Sequence, residues 1–122
     1  MKPTRKLVTW AALISATSFA IAQDRPLTPR DVADSWVEKT AIGATGSGAR
    51  VELRLKADGS ASVVAGSTSD TGTWRLSETG FCTTWKTIRS GQERCFTGTI
   101  QGTAVRVFNP DGLYAGQYTE FK

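Results

Sequence analysis

The sequence predicts a mainly β fold, an antiparallel meander that forms a small barrel or half-barrel after one short N-terminal helix. From residue 49 onward the hydrophobic pattern has period two, most clearly where Val51, Leu53 and Leu55 alternate with charged neighbours, which is typical of a half-buried strand. Turn-forming pairs such as Asp58-Gly59 separate successive apolar runs. Regularly spaced short strands joined by tight turns are typical of antiparallel barrels.

A helix is predicted at about residues 29–40. Thr28 is a suitable N-cap, and Pro29 fits the first helical position because its missing N–H would have no partner there. Val32 and Trp36 follow four residues apart, so they share one face of the helix. We expect Trp36 to pack against the sheet as a plug.

The glycine-rich residues 43–48 lack the Gly-Lys-Ser/Thr ending of a phosphate-binding loop, so we interpret them as a flexible link between helix and sheet. Seven strands are predicted after this link, each bounded by residues with turn chemistry. They cover residues 49–55, 60–65, 72–77, 81–88, 94–101, 103–108 and 113–121.

Residues 1–22 have the pattern of a secretory signal peptide. A positively charged start precedes an uncharged apolar stretch at residues 7–20, and small residues stand where a signal peptidase would cut between Ala22 and Gln23. We therefore expect a single mature domain at residues 23–122, located in the periplasm or secreted. The positive residues of the leader are Lys2, Arg5 and Lys6.

Removal of the leader changes the interpretation of the charge. Three of the 15 Lys and Arg residues lie in it, which leaves 12 cations against 11 anions. This near-neutral balance gives no electrostatic reason to expect nucleic acid as a partner. No second apolar run approaches 18 residues, so we expect no transmembrane anchor after cleavage.

Export also changes the expected chemistry of the only two cysteines, Cys82 and Cys95. In an oxidising compartment they are expected to form a disulfide. They lie on adjacent predicted strands, where they share a face with polar residues, whereas the opposite face carries Phe81, Trp85 and Phe96. The bridge is thus predicted to be a staple on the outside of the barrel, with the aromatic residues inside.

The sequence predicts a non-enzymatic protein without a metal or cofactor. Histidine is absent, which excludes Ser-His-Asp and Cys-His catalysis and removes the commonest zinc ligand. A paired-carboxylate hydrolase stays formally possible. However, Asp58, Asp70, Glu78 and Asp111 all fall in predicted turns, where acidic residues serve turn geometry.

Five residues are candidates for binding. Trp74, Trp85 and Phe96 are expected on the inner face, either as core or as contacts to an internal ligand. Arg89 and Arg94 belong to a charged hairpin tip, which is either solvated or a partner-recognition loop. With about 100 mature residues, we expect a filled core and not a roomy cavity.

The motifs Gly72-x-Trp74, Cys82-x-x-Trp85, Arg94-Cys95-Phe96 and the closing Asp111-Gly112 turn form a recognisable series. From about residue 27 onward, the chain resembles a group of small exported bacterial domains of uncharacterised function. That resemblance implies a calycin-like or lipocalin-like barrel and little about activity. More distantly, the chain is similar to exported bacterial protease inhibitors built on an eight-stranded barrel, although their Trp motif lies near the start of the barrel.

The leading hypothesis is an exported binding or interaction protein. Its partner would be a small apolar ligand inside the barrel or another envelope protein at the loops, and the expectation of a filled core favours the second. The alternative is an inhibitor of a secreted or periplasmic hydrolase, such as a protease or lysozyme. An inhibitor would use a flexible segment at residues 23–27 or a hairpin tip.

Overall fold

A computed structural model describes residues 24–122 of the protein. The predicted leader, residues 1–22, and the predicted cleavage site between Ala22 and Gln23 lie outside the described residues. No helix within the described part is long and apolar enough to cross a membrane. The elements are β1 (Arg25–Pro26), α1 (Pro29–Ser35), β2 (Thr40–Thr45), β3 (Arg50–Leu55), β4 (Ser60–Ala65), β5 (Thr68–Leu76), β6 (Phe81–Trp85), a 3₁₀ turn (Ile88–Gly91), β7 (Arg94–Gln101), β8 (Ala104–Phe108) and β9 (Tyr114–Phe121).

The predicted mainly β fold is confirmed, and the sheet closes into a full barrel. Each strand from β2 to β8 pairs antiparallel with the next strand in the chain, and β9 pairs with both β8 and β2. The result is a closed eight-stranded antiparallel barrel. Closure leaves no free edge among these strands, so the barrel offers no template for edge-to-edge association.

The region between the helix and the first predicted strand differs from the prediction. The helix ends at Ser35, earlier than the predicted residue 40. Thr40–Thr45 is a barrel strand that includes residues 43–45 of the predicted flexible link. Gly43 lies at the seam between β2 and β9, where a β-carbon would collide with the backbone carbonyl of Gln117. This glycine, predicted to belong to a flexible link, is therefore required by close strand packing.

The remaining strand predictions agree well with the structure. The strands at residues 60–65 and 94–101 match β4 and β7 at both ends. The largest differences are in β5, which begins at Thr68 and not at residue 72, and in β6, which ends at Trp85 and not at residue 88. The early start of β5 places Asp70 in a strand, which corrects its predicted position in a turn.

The N-terminal segment is held against the barrel. The short strand β1 pairs with the second half of β7, and the backbone N–H of Leu27 donates to the Gly98 carbonyl at 2.9 Å. Leu27 is buried. The hypothesis of a flexible segment at residues 23–27 is therefore wrong for residues 25–27.

Helix α1 delivers the plug that closes one end of the barrel. Thr28 and Asp31 form a capping box at its start, which fixes the direction in which the helix leaves β1. At its other end, the Trp36 ring is buried and lies 5.1–5.2 Å from the rings of Phe81, Tyr118 and Phe121. The expected role of Trp36 as a plug is confirmed, and we call this the closed end.

Candidate functional site

The opposite end of the barrel, which we call the open end, contains a cavity of about 350 Å³. This volume lies in the range of small-molecule sites, roughly 300–1,000 Å³. The expectation of a filled core is therefore confirmed only at the closed end. The apolar wall of the cavity includes Val51, Leu53, Val63, Trp85, Phe96 and Val107.

Small residues at the strand ends create this space. Ala44, Ala65, Ala115 and Gly116 line the cavity beside larger side chains such as Trp85 and Phe96. Because an interior of normal density leaves few voids larger than a water molecule, these small residues leave a concave site at this end of the barrel.

The charged residues that line the cavity are Arg89 and Arg94, and no aspartate or glutamate of residues 24–122 lines it. The wall is otherwise mainly apolar. Apolar walls of low dielectric strengthen the field of the charges they surround. The open end therefore combines an apolar interior with an uncompensated positive charge.

Arg89 owes its position to an unusual backbone. Arg89 and Ser90 both have left-handed conformations, with φ of 58° and 55°, and Gly91 follows with φ of 74°. Each non-glycine residue in this conformation costs roughly 1–2 kcal/mol. The backbone turns back on itself here, so the loop between β6 and β7 carries the Arg89 side chain to the cavity instead of into solvent.

The Arg89 guanidinium is held by one hydrogen bond and one aromatic face. Its Nη2 donates to Oγ1 of the buried Thr83 at 3.0 Å, and its Cζ lies 5.4 Å from the centroid of the Phe96 ring. Its Nε is buried and has no hydrogen-bond partner among residues 24–122. Burial, and secondarily the charge of Arg94, lower the pKa of Arg89 from its ordinary value.

Asp70 anchors the loop that carries Arg89. One oxygen of its carboxylate accepts hydrogen bonds at 2.9 Å from the backbone N–H groups of Thr87 and Ile88 and from the Thr87 hydroxyl. These bonds, led by the one from Ile88, hold the pKa of Asp70 well below its usual range. The acid is thus engaged by the loop backbone and does not neutralise Arg89.

The rim of the cavity is formed by the turn between β8 and β9. Arg94 donates from Nη1 to Oδ1 of Asn109 at 3.2 Å, which connects the start of β7 to this turn. Leu113, at the end of the turn, is 66% exposed. The Arg106 guanidinium stacks over Tyr114 from outside the barrel, 4.9 Å from the ring centroid. The rim therefore presents apolar side chains to solvent.

The predicted disulfide is confirmed, and it lies on the outside of the barrel. Cys82 and Cys95 are directly paired across β6 and β7. Arg75 and Glu93 form a two-point ion pair beside the bridge, at 2.7 and 3.0 Å. Glu93 also lies close to both sulfurs, but the sulfurs are bonded to each other, so the three residues do not offer a metal site.

Four of the five predicted binding residues meet in one place. Trp85, Phe96, Arg89 and Arg94 all line the open-end cavity. Trp74 does not, because its ring lies towards the closed end, where Nε1 donates to the Lys56 carbonyl at 2.7 Å.

Sequence reasoning did not identify Thr83 or Tyr118 as part of the site and assigned Asp70 to a turn. Thr83 holds Arg89, and Tyr118 lines the cavity, where burial raises its pKa. Asp70 acts on residues 17 and 18 positions further along the chain. Such partners leave no local signal in the sequence. The signal available for Thr83 is its position between Phe81 and Trp85, which puts it on the same inner face of the strand.

No protein family, curated protein or solved structure matches this chain.

Proposed function

We propose that the protein binds a small, mainly apolar molecule in the open-end cavity. The observation that carries this proposal is the cavity itself, about 350 Å³ in volume with a largely apolar wall. Burial of apolar ligand surface against such a wall is favourable by roughly 25 cal/mol per Å². Between the two forms of the binding hypothesis, this geometry favours an interior ligand over recognition at the loops.

The proposal includes a calycin-like identity and an exported location. A closed eight-stranded meander with a concave end supports the first. The disulfide supports the second, because such bonds persist in oxidising compartments and are rare in the cytosol. The signal-peptide pattern of residues 1–22 points the same way.

The proposed role is non-enzymatic. A general base must lie within hydrogen-bond reach of the proton that it abstracts. The cavity lining offers arginine, tyrosine, threonine and asparagine side chains, which suit recognition better than proton abstraction at neutral pH.

A role as a hydrolase inhibitor receives less support from the geometry. One segment that an inhibitor was expected to use is a flexible stretch at residues 23–27. Residues 25–27 are instead bound to β7 through β1 and the buried Leu27. Truncation of this segment would also remove structural contacts, so a truncated variant would not separate a loss of inhibition from a loss of folding. The exposed rim at Leu113 is the surface that an inhibitor would have left to use.

Binding of the neutral fluorescent probe N-phenyl-1-naphthylamine tests the proposal. Probe fluorescence should rise on addition of the protein, and Trp85 emission should fall, because Trp85 lines the cavity. Ala65→Phe should weaken binding at least tenfold by occupying the cavity. Val64→Phe is the matched control, since Val64 is the preceding residue on β4, is 46% exposed and lies outside the cavity. Absence of binding, or equal binding by both variants, would contradict the proposal.

A further inference from the structure

Resting on the proposed function, we propose that the ligand is a small amphipathic carboxylate whose carboxylate group binds Arg89 and whose apolar part lies along the cavity wall. Arg89 and Arg94 bring positive charge to a cavity whose lining includes no acid from residues 24–122. The complementary ligand is therefore an anion attached to an apolar body.

A comparison among the arginines supports this assignment. The arginines that form ion pairs, Arg25, Arg30, Arg50 and Arg75, all lie at the surface, with side chains at least 55% exposed. Arg89 is more buried than these, yet it pairs with no acid of the described chain. Partial removal of a charge from water favours a partner for it, and Arg89 lies at the cavity, where a ligand can supply that partner.

The geometry favours a carboxylate in particular. A guanidinium presents a planar fork of donors that matches the two oxygens of a carboxylate. Thr83 and the Phe96 ring restrain the Arg89 fork from the protein side. Thr83 uses one hydrogen of Nη2, which leaves further guanidinium hydrogens for a ligand.

The backbone provides a second line of support. Two consecutive non-glycine residues in the left-handed region, Arg89 and Ser90, place this cation against Phe96. Asp70, the acid that anchors this loop, binds the backbone N–H groups of Thr87 and Ile88 and forms no ion pair with Arg89. The loop thus keeps a cation at the cavity without providing its counter-ion.

The test compares three probes with the same ten-carbon chain, decanoate, decanol and decyltrimethylammonium, at neutral pH. Their affinities for the purified protein are measured by calorimetry and by displacement of N-phenyl-1-naphthylamine. Decanoate should bind at least tenfold more tightly than decanol, and decyltrimethylammonium more weakly than either. If the wild-type protein binds decanoate and decanol equally, the inference is wrong although the proposed function stands. If none of the probes and no N-phenyl-1-naphthylamine binds, the proposed function itself fails.

Variants assign the preference to Arg89. Arg89→Asn removes the charge while keeping a residue that tolerates the left-handed backbone, and the tenfold preference for decanoate should fall to within about twofold. Arg50→Asn makes the same charge change on β3, outside the cavity lining, and should keep the preference. Arg89→Lys retains the charge without the planar fork and should show an intermediate preference for decanoate. It replaces Arg89→Asn in the test if the Asn variant does not fold. A full preference in both Arg89 variants would overturn the inference.

Discussion

The two ends of the barrel are built from the same strands but in opposite ways. At the closed end, Trp36 packs within 5.2 Å of three other aromatic rings. At the open end, alanine and glycine at the strand ends leave a cavity whose wall includes Trp85 and Phe96 and which Arg89 and Arg94 border. Strand β9 contributes to both ends, with Phe121 at one and Ala115 and Gly116 at the other.

This difference shows how a small barrel can be both stable and concave. A domain of this size depends on a modest core, so stability must come mainly from the end that is fully packed. The open end can then tolerate unfilled volume, a left-handed turn and an unpaired cation at Arg89. We therefore expect substitutions at the closed end to affect folding, and substitutions at the open end to affect binding.

The largest expected effect is on the plug. Trp36→Ala should lower the free energy of unfolding by about 3–5 kcal/mol, because it removes a buried ring and leaves a void among three others. Denaturant unfolding measures this loss. Trp74→Ala removes a half-buried ring and should lower the free energy of unfolding by less. An equal loss in the two variants would contradict the conclusion that Trp36 is packed more completely in the core than Trp74.

The second largest loss of stability is expected from removal of the disulfide, which joins the two strands that flank the Arg89 loop. Removal of the bridge in the Cys82→Ala, Cys95→Ala variant should cost about 3 kcal/mol in the chain-entropy relation for a short loop. Wild-type protein unfolded in the presence of a reductant should approach the same stability. If the stability of the variant equalled that of the oxidised protein, the bridge would not constrain the unfolded chain as proposed.

A pair of alanines separates the two ends directly. Ala41 is buried among the closed-end residues, whereas Ala65 lines the open cavity. Ala41→Leu should destabilise the protein by about 1–3 kcal/mol through overpacking. Ala65→Leu should change the unfolding free energy by less than about 1 kcal/mol, because space is already present. Comparable losses in both variants would show that the open end is as tightly packed as the closed end.

The smallest expected effect on global stability is at Asp70, where the consequence is local. Asp70→Asn weakens the hydrogen bonds to the N–H groups of Thr87 and Ile88, so these two amides should exchange with deuterium faster than in the wild type. Amides of β3 in the barrel wall are the internal reference and should be unchanged. Equal protection of Thr87 and Ile88 in the two proteins would contradict the anchoring role.

The pH dependence of that effect follows from the lowered pKa of Asp70. The ionised form of Asp70 is favoured in the folded protein. Its contribution to the free energy of unfolding is therefore complete above the ordinary pKa of 3.8 and is lost as the pH falls from there through the lower pKa of the folded state. The difference between wild type and Asp70→Asn should therefore be constant from about pH 5 to 7 and shrink in stronger acid. Unfolding curves at several pH values measure it.

Local patterns predicted most of the fold but only part of the site. Alternation placed Trp85 and Phe96 inside the barrel, and turn chemistry located the bounds of β4 and β7. The same local rules placed Gly43 in a flexible link, because a glycine in a loop and a glycine that permits close strand packing look alike in sequence. They also placed Asp70 in a turn, since its partners lie in another part of the chain.

The sequence by itself determined the mainly β class, the capped helix start, the inward aromatic face and the pairing of the two cysteines. Each of these depends on residue spacing, which sets the face of a strand or the first turn of a helix. Only the tertiary structure decided that the ring closes through β2 and β9, that the end opposite Trp36 is hollow, and that Arg89 lies against the cavity. These features depend on the sum of side-chain volumes at each end and on contacts between distant strands, which no local pattern contains.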